Sequence, residues 1–193
     1  MKKYVLAIAV ILGGCASIPG KTWFATSQKD EFTDVVTKMV TVGSFSSGGA
    51  IYTFAGGYYP FVGLRNGGAY IGIRSGGNRI PTGTVQIRID DNPAWTITPN
   101  ETPTEFIPGT APIAGGNAKV SADAMASMAK IMSPYTAVTG SKANDILREM
   151  VHGKVMRYRT VGLNQAASST GEVKLDDSLP SALREIGIDP SAL

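Results

Sequence analysis

Alternating and periodic apolar positions divide the chain into a strand-rich first half and a helix-bearing second half. Trp23 and Phe24 open the first half. Val35, Val36, Met39, Val40 and Val42 mark a second element, whose start Thr33 and Asp34 are suited to cap as a helix. Ile51-Tyr52-Thr53-Phe54 is a β-branched and aromatic run between glycines. Tyr59 to Leu64 and Ala69 to Arg74 are separated by Arg65-Asn66-Gly67-Gly68. Asn-Gly between two such runs predicts a hairpin, because both residues tolerate positive φ. Thr84 to Ile89 sets Val85, Ile87 and Ile89 on one face against Gln86 and Arg88 on the other, the period-two pattern of a half-buried strand. Asp90-Asp91-Asn92-Pro93 reads as the turn that ends it, and Ala94 to Thr98 returns.

Pro99, Pro103, Pro108 and Pro112, followed by Gly115-Gly116, break the strand pattern. Beyond them the period lengthens. Ser121 to Met132 carries Met125, Met128 and Met132 at helical spacing, and a core-facing stripe is the expectation. Ser141 is placed to cap a helix whose stripe is Ile146, Leu147, Met150 and Val151 and whose stop is Gly153. Lys154 to Val161 reads as a strand, with Val173-Lys174-Leu175 as its partner. Ser178 and Pro180 open a last short helix carrying Leu183 and Ile186. Strands first and helices later predict an α+β fold: a mainly antiparallel sheet or sandwich-like N-terminal part, with two to three helices in the C-terminal part.

The first residues follow a different logic. Met1-Lys2-Lys3 is a short positive stretch, Tyr4 to Leu12 is apolar, and Gly13-Gly14 is small. That order describes a secretory signal peptide, and the run is under half of the roughly 20 apolar residues a spanning helix needs. The organisation expected is a signal at 1–14, a modified cysteine and linker at 15–21, and one domain at 22–193. Within that domain, 22–106 is β-rich, 99–116 is the Pro/Gly-rich break, and 117–193 mixes helices and strands.

Composition narrows the chemistry. The 193-residue chain has 18 Lys+Arg and 15 Asp+Glu, but removal of Lys2 and Lys3 with the signal leaves 16 against 15. So even a balance gives no footing for nucleic-acid binding. Cys15 is the only cysteine, so its modification leaves no thiol for a disulfide, a nucleophile or a metal site.

No catalytic, cofactor or metal constellation stands out. His152, the single histidine, falls at a helix end, where a cation suits the last carbonyls. General acid/base chemistry there would need a nucleophile that the sequence does not assign. Asp90 and Asp91 are adjacent, so on a strand they point apart and converge poorly on one proton or ion. Asp176-Asp177 reads as a helix start. The glycine pairs separate strands, which makes them turns rather than a phosphate cradle. Arg157 and Arg159 share one face of their strand, with Met156 and Tyr158 on the other. Together with Arg88 they are the candidate anion- or partner-binding surface; the three methionines are another adaptable contact surface.

Leu12-Gly13-Gly14-Cys15 resembles the lipobox of bacterial lipoproteins. The resemblance implies lipid attachment at Cys15 and cleavage just before it. Ala16, where an Asp would favour inner-membrane retention in enterobacterial lipoproteins, implies export to the outer membrane, with the domain in the periplasm or at the cell surface. Further along, Trp23 with Asp30-Glu31-Phe32-Thr33-Asp34, the strand Ile87-Arg88-Ile89-Asp90, and Leu147, Met150, Gly153, Arg157 and Leu175 to Leu183 are similar to small secreted proteins. These are the type VI secretion accessory proteins and the proteins related to invasion-associated locus B. That likeness implies a sandwich-like, non-enzymatic envelope module. The expected function is a membrane-anchored accessory or interaction module of phage, plasmid or secretion-system origin. Its partners would be the membrane, through covalent lipid, and an envelope protein. The alternatives are an envelope hydrolase assembled only by the fold, and a structural lipoprotein.

Overall fold

The computed structural model describes residues 21–29, 31–32, 34, 36–45, 51–52, 57–65, 67–76, 80–103, 118–161 and 169–193. Strands β1 (Trp23–Lys29) and β2 (Val36–Val42) pair antiparallel from Trp23↔Val42 to Lys29↔Val36. Thr33 and Val35, part of the helical start expected here, lie outside the described residues, and from Val36 on the segment is strand. Asp34 adopts φ +56° in the connection and pairs with Lys29 at 2.5 Å. The β-branched residues of β2 favour the pleat, and Val40 and Val42 reach the main core from it.

β3 (Ser44–Phe45) and β4 (Ile51–Tyr52) form a two-stranded ladder. β5 (Tyr58–Arg65) and β6 (Gly68–Ser75) form the hairpin that Asn-Gly predicts, with Arg65 opposite Gly68 and Gly67 at φ +77°. β7 (Thr84–Ile89) is followed by β8 (Trp95–Ile97), and Pro99–Glu101 forms one 3-10 turn. Helix α1 spans Ala118–Ile131, β9 is Tyr135–Thr139 and α2 is Gly140–His152. β10 (Val155–Val161), β11 (Thr170–Lys174) and α3 (Ser178–Ile186) complete the chain.

Two antiparallel sheets result, ordered β1-β2-β5-β6-β9 and β11-β10-β7-β8. With the helices in the second half, the fold is α+β. One core draws Val40, Val62, Ile71 and Ile73 from the first sheet, Val85, Ile87, Ile89, Ile97 and Met156 from the second, and the apolar stripes of α2 and α3. Burying each such side chain contributes about 1.5–3 kcal/mol. Two hydrogen bonds tie the sheets: Trp23 Nε1 to the Lys174 carbonyl at 2.8 Å, and the Tyr158 hydroxyl to the Tyr58 carbonyl at 2.9 Å.

Neither serine expected as a cap serves its own helix. Ser141 lies inside α2, which starts a residue earlier. Ser178 is the first residue of α3, and its hydroxyl instead accepts the amides of Thr22 (3.1 Å) and Trp23 (2.9 Å). It donates in turn to the Asp176 carboxylate, which also takes the Thr22 hydroxyl. The start of β1 is thereby clamped to the start of α3.

The methionine stripe of α1 does not face the core. Met125, Met128 and Met132 are 58%, 60% and 57% exposed. The helix leans instead on the Pro99–Glu101 turn, where Lys130 Nζ donates to the Asn100 carbonyl at 2.8 Å. From Asp123 to Ile131 its partly covered positions are Ala126, Ala129 and Lys130.

Candidate functional site

The outer face of the second sheet gathers the three candidate arginines. Alternation in β7 and β10 sends Val85, Ile87, Ile89 and Met156 inward, each fully buried. The opposite positions then fall into two rows by register. Arg157 lies opposite Arg88 on one side and Glu172 on the other; Arg159 lies opposite Gln86 and Thr170, and Gln86 opposite Thr96. Sequence alone placed Arg157 and Arg159 together. Arg88, grouped with them as a candidate, comes to lie opposite Arg157, 69 positions later, through the register of β7 and β10.

Each guanidinium is held but not saturated. Arg157 Nε donates to Glu172 Oε2 at 2.9 Å, and its Nη1 reaches the Asp90 carbonyl at 3.4 Å. Arg159 Nε donates to Gln86 Oε1 at 2.6 Å, and Gln86 Nε2 passes the chain on to Thr96 Oγ1 at 3.1 Å. Arg88 Nη2 donates to the Asp91 carbonyl at 3.2 Å and lies 3.7 Å from its carboxylate. A guanidinium has five N–H donors, so most of them remain available to a ligand. The residues line a shallow groove of about 610 Å³, completed by Ala94, Thr170 and Gly171. Three cations against two carboxylates, Glu172 in the groove and Asp91 beside Arg88, leave an anion-attracting face with forked donors suited to carboxylates or phosphates.

His152 sits apart from this face. Its side chain is exposed at the end of α2, with Nδ1 2.8 Å from the Arg148 carbonyl. Asp90 and Glu149 line the same hollow, but neither hydrogen-bonds to it. Asp90 is engaged elsewhere. Held at φ +48° in the turn after β7, it takes the amides of Lys154 and Val155 on its carboxylate and so fixes the entry into β10. Glu149 accepts from Trp95 Nε1 at 3.1 Å. Asp91 stays in the turn as expected, and Asp176 serves the Ser178 clamp. No group of three or more His, Cys, Asp or Glu among the described residues is arranged to hold a metal ion.

A carboxylate that the sequence did not single out organises the far edge of the second sheet. Glu101 accepts the Thr98 amide at 2.8 Å and the Lys142 ammonium at 2.5 Å, while Lys142 also donates to the Thr96 carbonyl. Burial alone would raise its pKa, but the Lys142 and Thr98 hydrogen bonds outweigh it and hold Glu101 below the usual range.

Cys15 and the segment before it lie outside the described residues. Among the described residues no helix is long and apolar enough to cross a membrane. The chain matches no protein-family model, no curated protein and no solved structure.

Proposed function

We propose that the protein is a lipoprotein of the bacterial outer membrane, anchored through Cys15. It acts there as a non-catalytic accessory module that docks an acidic surface of an envelope protein on its arginine face. The observation that carries the docking half is the register of β7, β10 and β11. It sets Arg88 beside Arg157 and Arg159, with Glu172 and the exposed Asp91 as the two carboxylates that pair with them, so the face keeps a positive excess.

The clamp at the start of β1 supports the anchored half. Trp23 is 1% exposed and its amide is fixed by Ser178. Seven residue steps from Cys15 to Thr22 span at most about 25 Å when fully extended. The domain is therefore held close to the bilayer. One acyl chain binds only marginally, so the two or three chains of a lipoprotein make release negligible.

Replacing Cys15 with Ser in the full chain tests the anchor. The variant should leave the membrane fraction and lose the partner that mild crosslinking recovers with the native protein. Retention in the membrane fraction, or recovery of no discrete partner with the native protein, contradicts the proposal.

A further inference from the structure

The outer face of the first sheet carries a second cavity, chemically unlike the arginine groove. It has a volume of about 250 Å³ and is walled by Met39, Phe61, Tyr70 and Tyr135, with Arg65 and Arg74 among its lining residues. Among the described residues no Asp or Glu lines it.

Alternation in β5, β6 and β9 turns Phe61, Tyr70 and Ala137 away from the main core into a separate cluster, against which Met39 and Tyr135 pack. Phe61 meets Tyr70 and Tyr135 edge-on, at centroid distances of 5.8 and 6.1 Å. Two strand glycines let their neighbours close in, the Tyr70 ring over Gly63 and the β9 backbone beside Gly72. Gly63 stands opposite Tyr70 and Gly72 opposite Phe61, so no side chain rises from either position. A Cβ at Gly63 would lie 2.1 Å from the Tyr70 ring. Desolvation raises the pKa of both Tyr70 and Tyr135.

Arg74 is the unusual member. Its Nε donates to Thr41 Oγ1 at 3.3 Å, and its guanidinium lies 5.5 Å from the centre of the Tyr59 ring. It makes no ion pair with a carboxylate among the described residues. It is nonetheless largely desolvated, and burial lowers its pKa. A desolvated cation is costly unless an anion or several hydrogen bonds meet it. A hydroxyl and an aromatic face meet that demand only in part.

We propose that this cavity binds a small amphipathic monoanion. An aromatic or short aliphatic body lies against Phe61, Met39 and the tyrosine rings, and one carboxylate is taken by Arg74. The site is independent of the arginine groove and of any protein partner.

Benzoate and hexanoate are the probes for calorimetric titration of the soluble Cys15→Ser protein, with benzamide and acetate as controls. Benzoate should bind at least about tenfold more tightly than benzamide, which lacks the charge, a difference of about 1.4 kcal/mol. Acetate, which lacks the body, should bind most weakly. Arg74→Met should reduce benzoate to the level of benzamide, Arg74→Lys should fall between, and Arg157→Met on the other sheet should change nothing. Equal binding of benzoate and benzamide, no binding of either acid, or insensitivity to Arg74→Met overturns the proposal. Should Arg74→Met not fold, Arg74→Lys and the acid–amide comparison on the unsubstituted site decide it.

Discussion

Arg88 and Arg157 stand directly opposite one another on β7 and β10. Like charges in a direct cross-strand pair oppose sheet formation, by roughly 0.2–1 kcal/mol. Glu172 on one flank and the carbonyls of Asp90 and Asp91 on the other offset that repulsion. If the pair is kept for binding rather than for folding, stability and docking should respond to its removal in opposite directions.

Arg88→Thr is therefore expected to leave unfolding free energy unchanged or to raise it by up to about 1 kcal/mol. Glu172→Gln, which leaves Arg157 without its carboxylate, should lower it by a similar amount. Urea denaturation of the two variants reads both effects.

The Ser178 clamp gives a second prediction. Ser178→Ala leaves the amides of Thr22 and Trp23 without their acceptor, at a cost of about 1–3 kcal/mol. The thermal midpoint should fall, and tryptic cleavage after Lys21 should accelerate relative to the parent protein.

Two strand glycines should respond unequally to alanine. At Gly72 a Cβ would lie 2.0 Å from the Thr136 carbonyl oxygen and 2.8 Å from the Ala137 Cα, both backbone atoms of the neighbouring strand β9. At Gly63 the obstacle is the Tyr70 ring, which can turn aside. Overpacking of this kind costs about 1–3 kcal/mol, and Gly72→Ala should reach or exceed the upper end while Gly63→Ala stays near the lower. Adding Tyr70→Ala should rescue Gly63→Ala and leave Gly72→Ala unimproved.

Acid should weaken the fold in part through Glu101 and Asp176. Burial opposes ionisation of Glu101 and Asp176, but hydrogen bonds from Lys142 and Thr98, and from Ser178 and Thr22, prevail and depress both folded pKa values. The stability they contribute is complete above the ordinary values of 4.5 and 3.8 and is lost as pH falls through the lower folded ones. Thermal midpoints should thus hold from about pH 7 to pH 5 and drop below about pH 4. Glu101→Gln and Asp176→Asn should start lower at neutral pH and fall less steeply.

Much of this architecture is legible in local pattern. Alternation located β7, Asn-Gly located the β5–β6 turn, and helical spacing located α2 and its buried stripe. Other features depend on what lies across from a residue. Thr33 and Asp34 have the composition of a cap, yet β1 recruits the next segment as its hairpin partner. The spacing of Met125, Met128 and Met132 says that they share a face, but not that the body of the protein lies on the other side. β9 went unread because Tyr135 to Thr139 is a five-residue run between two helices, although Pro134 and Gly140 bracket it. Arg157 and Arg159 were visible as a face with Arg88 as a candidate beside them, whereas its place directly opposite Arg157 required the register. The aromatic cavity left a fainter trace, since Phe61, Tyr70 and Tyr135 read individually as ordinary strand formers. The glycines that make room for them lie within strands rather than at turns.

The most direct measurement of docking on the arginine face is site-specific photo-crosslinking from position 170, at the edge of the groove, in intact cells. The parent protein should give a discrete adduct with one envelope protein, and simultaneous Arg88→Glu, Arg157→Glu and Arg159→Glu substitution should abolish it while the variant still folds and reaches the membrane. An adduct unchanged by the charge reversal, or no adduct from the parent protein, would contradict the account.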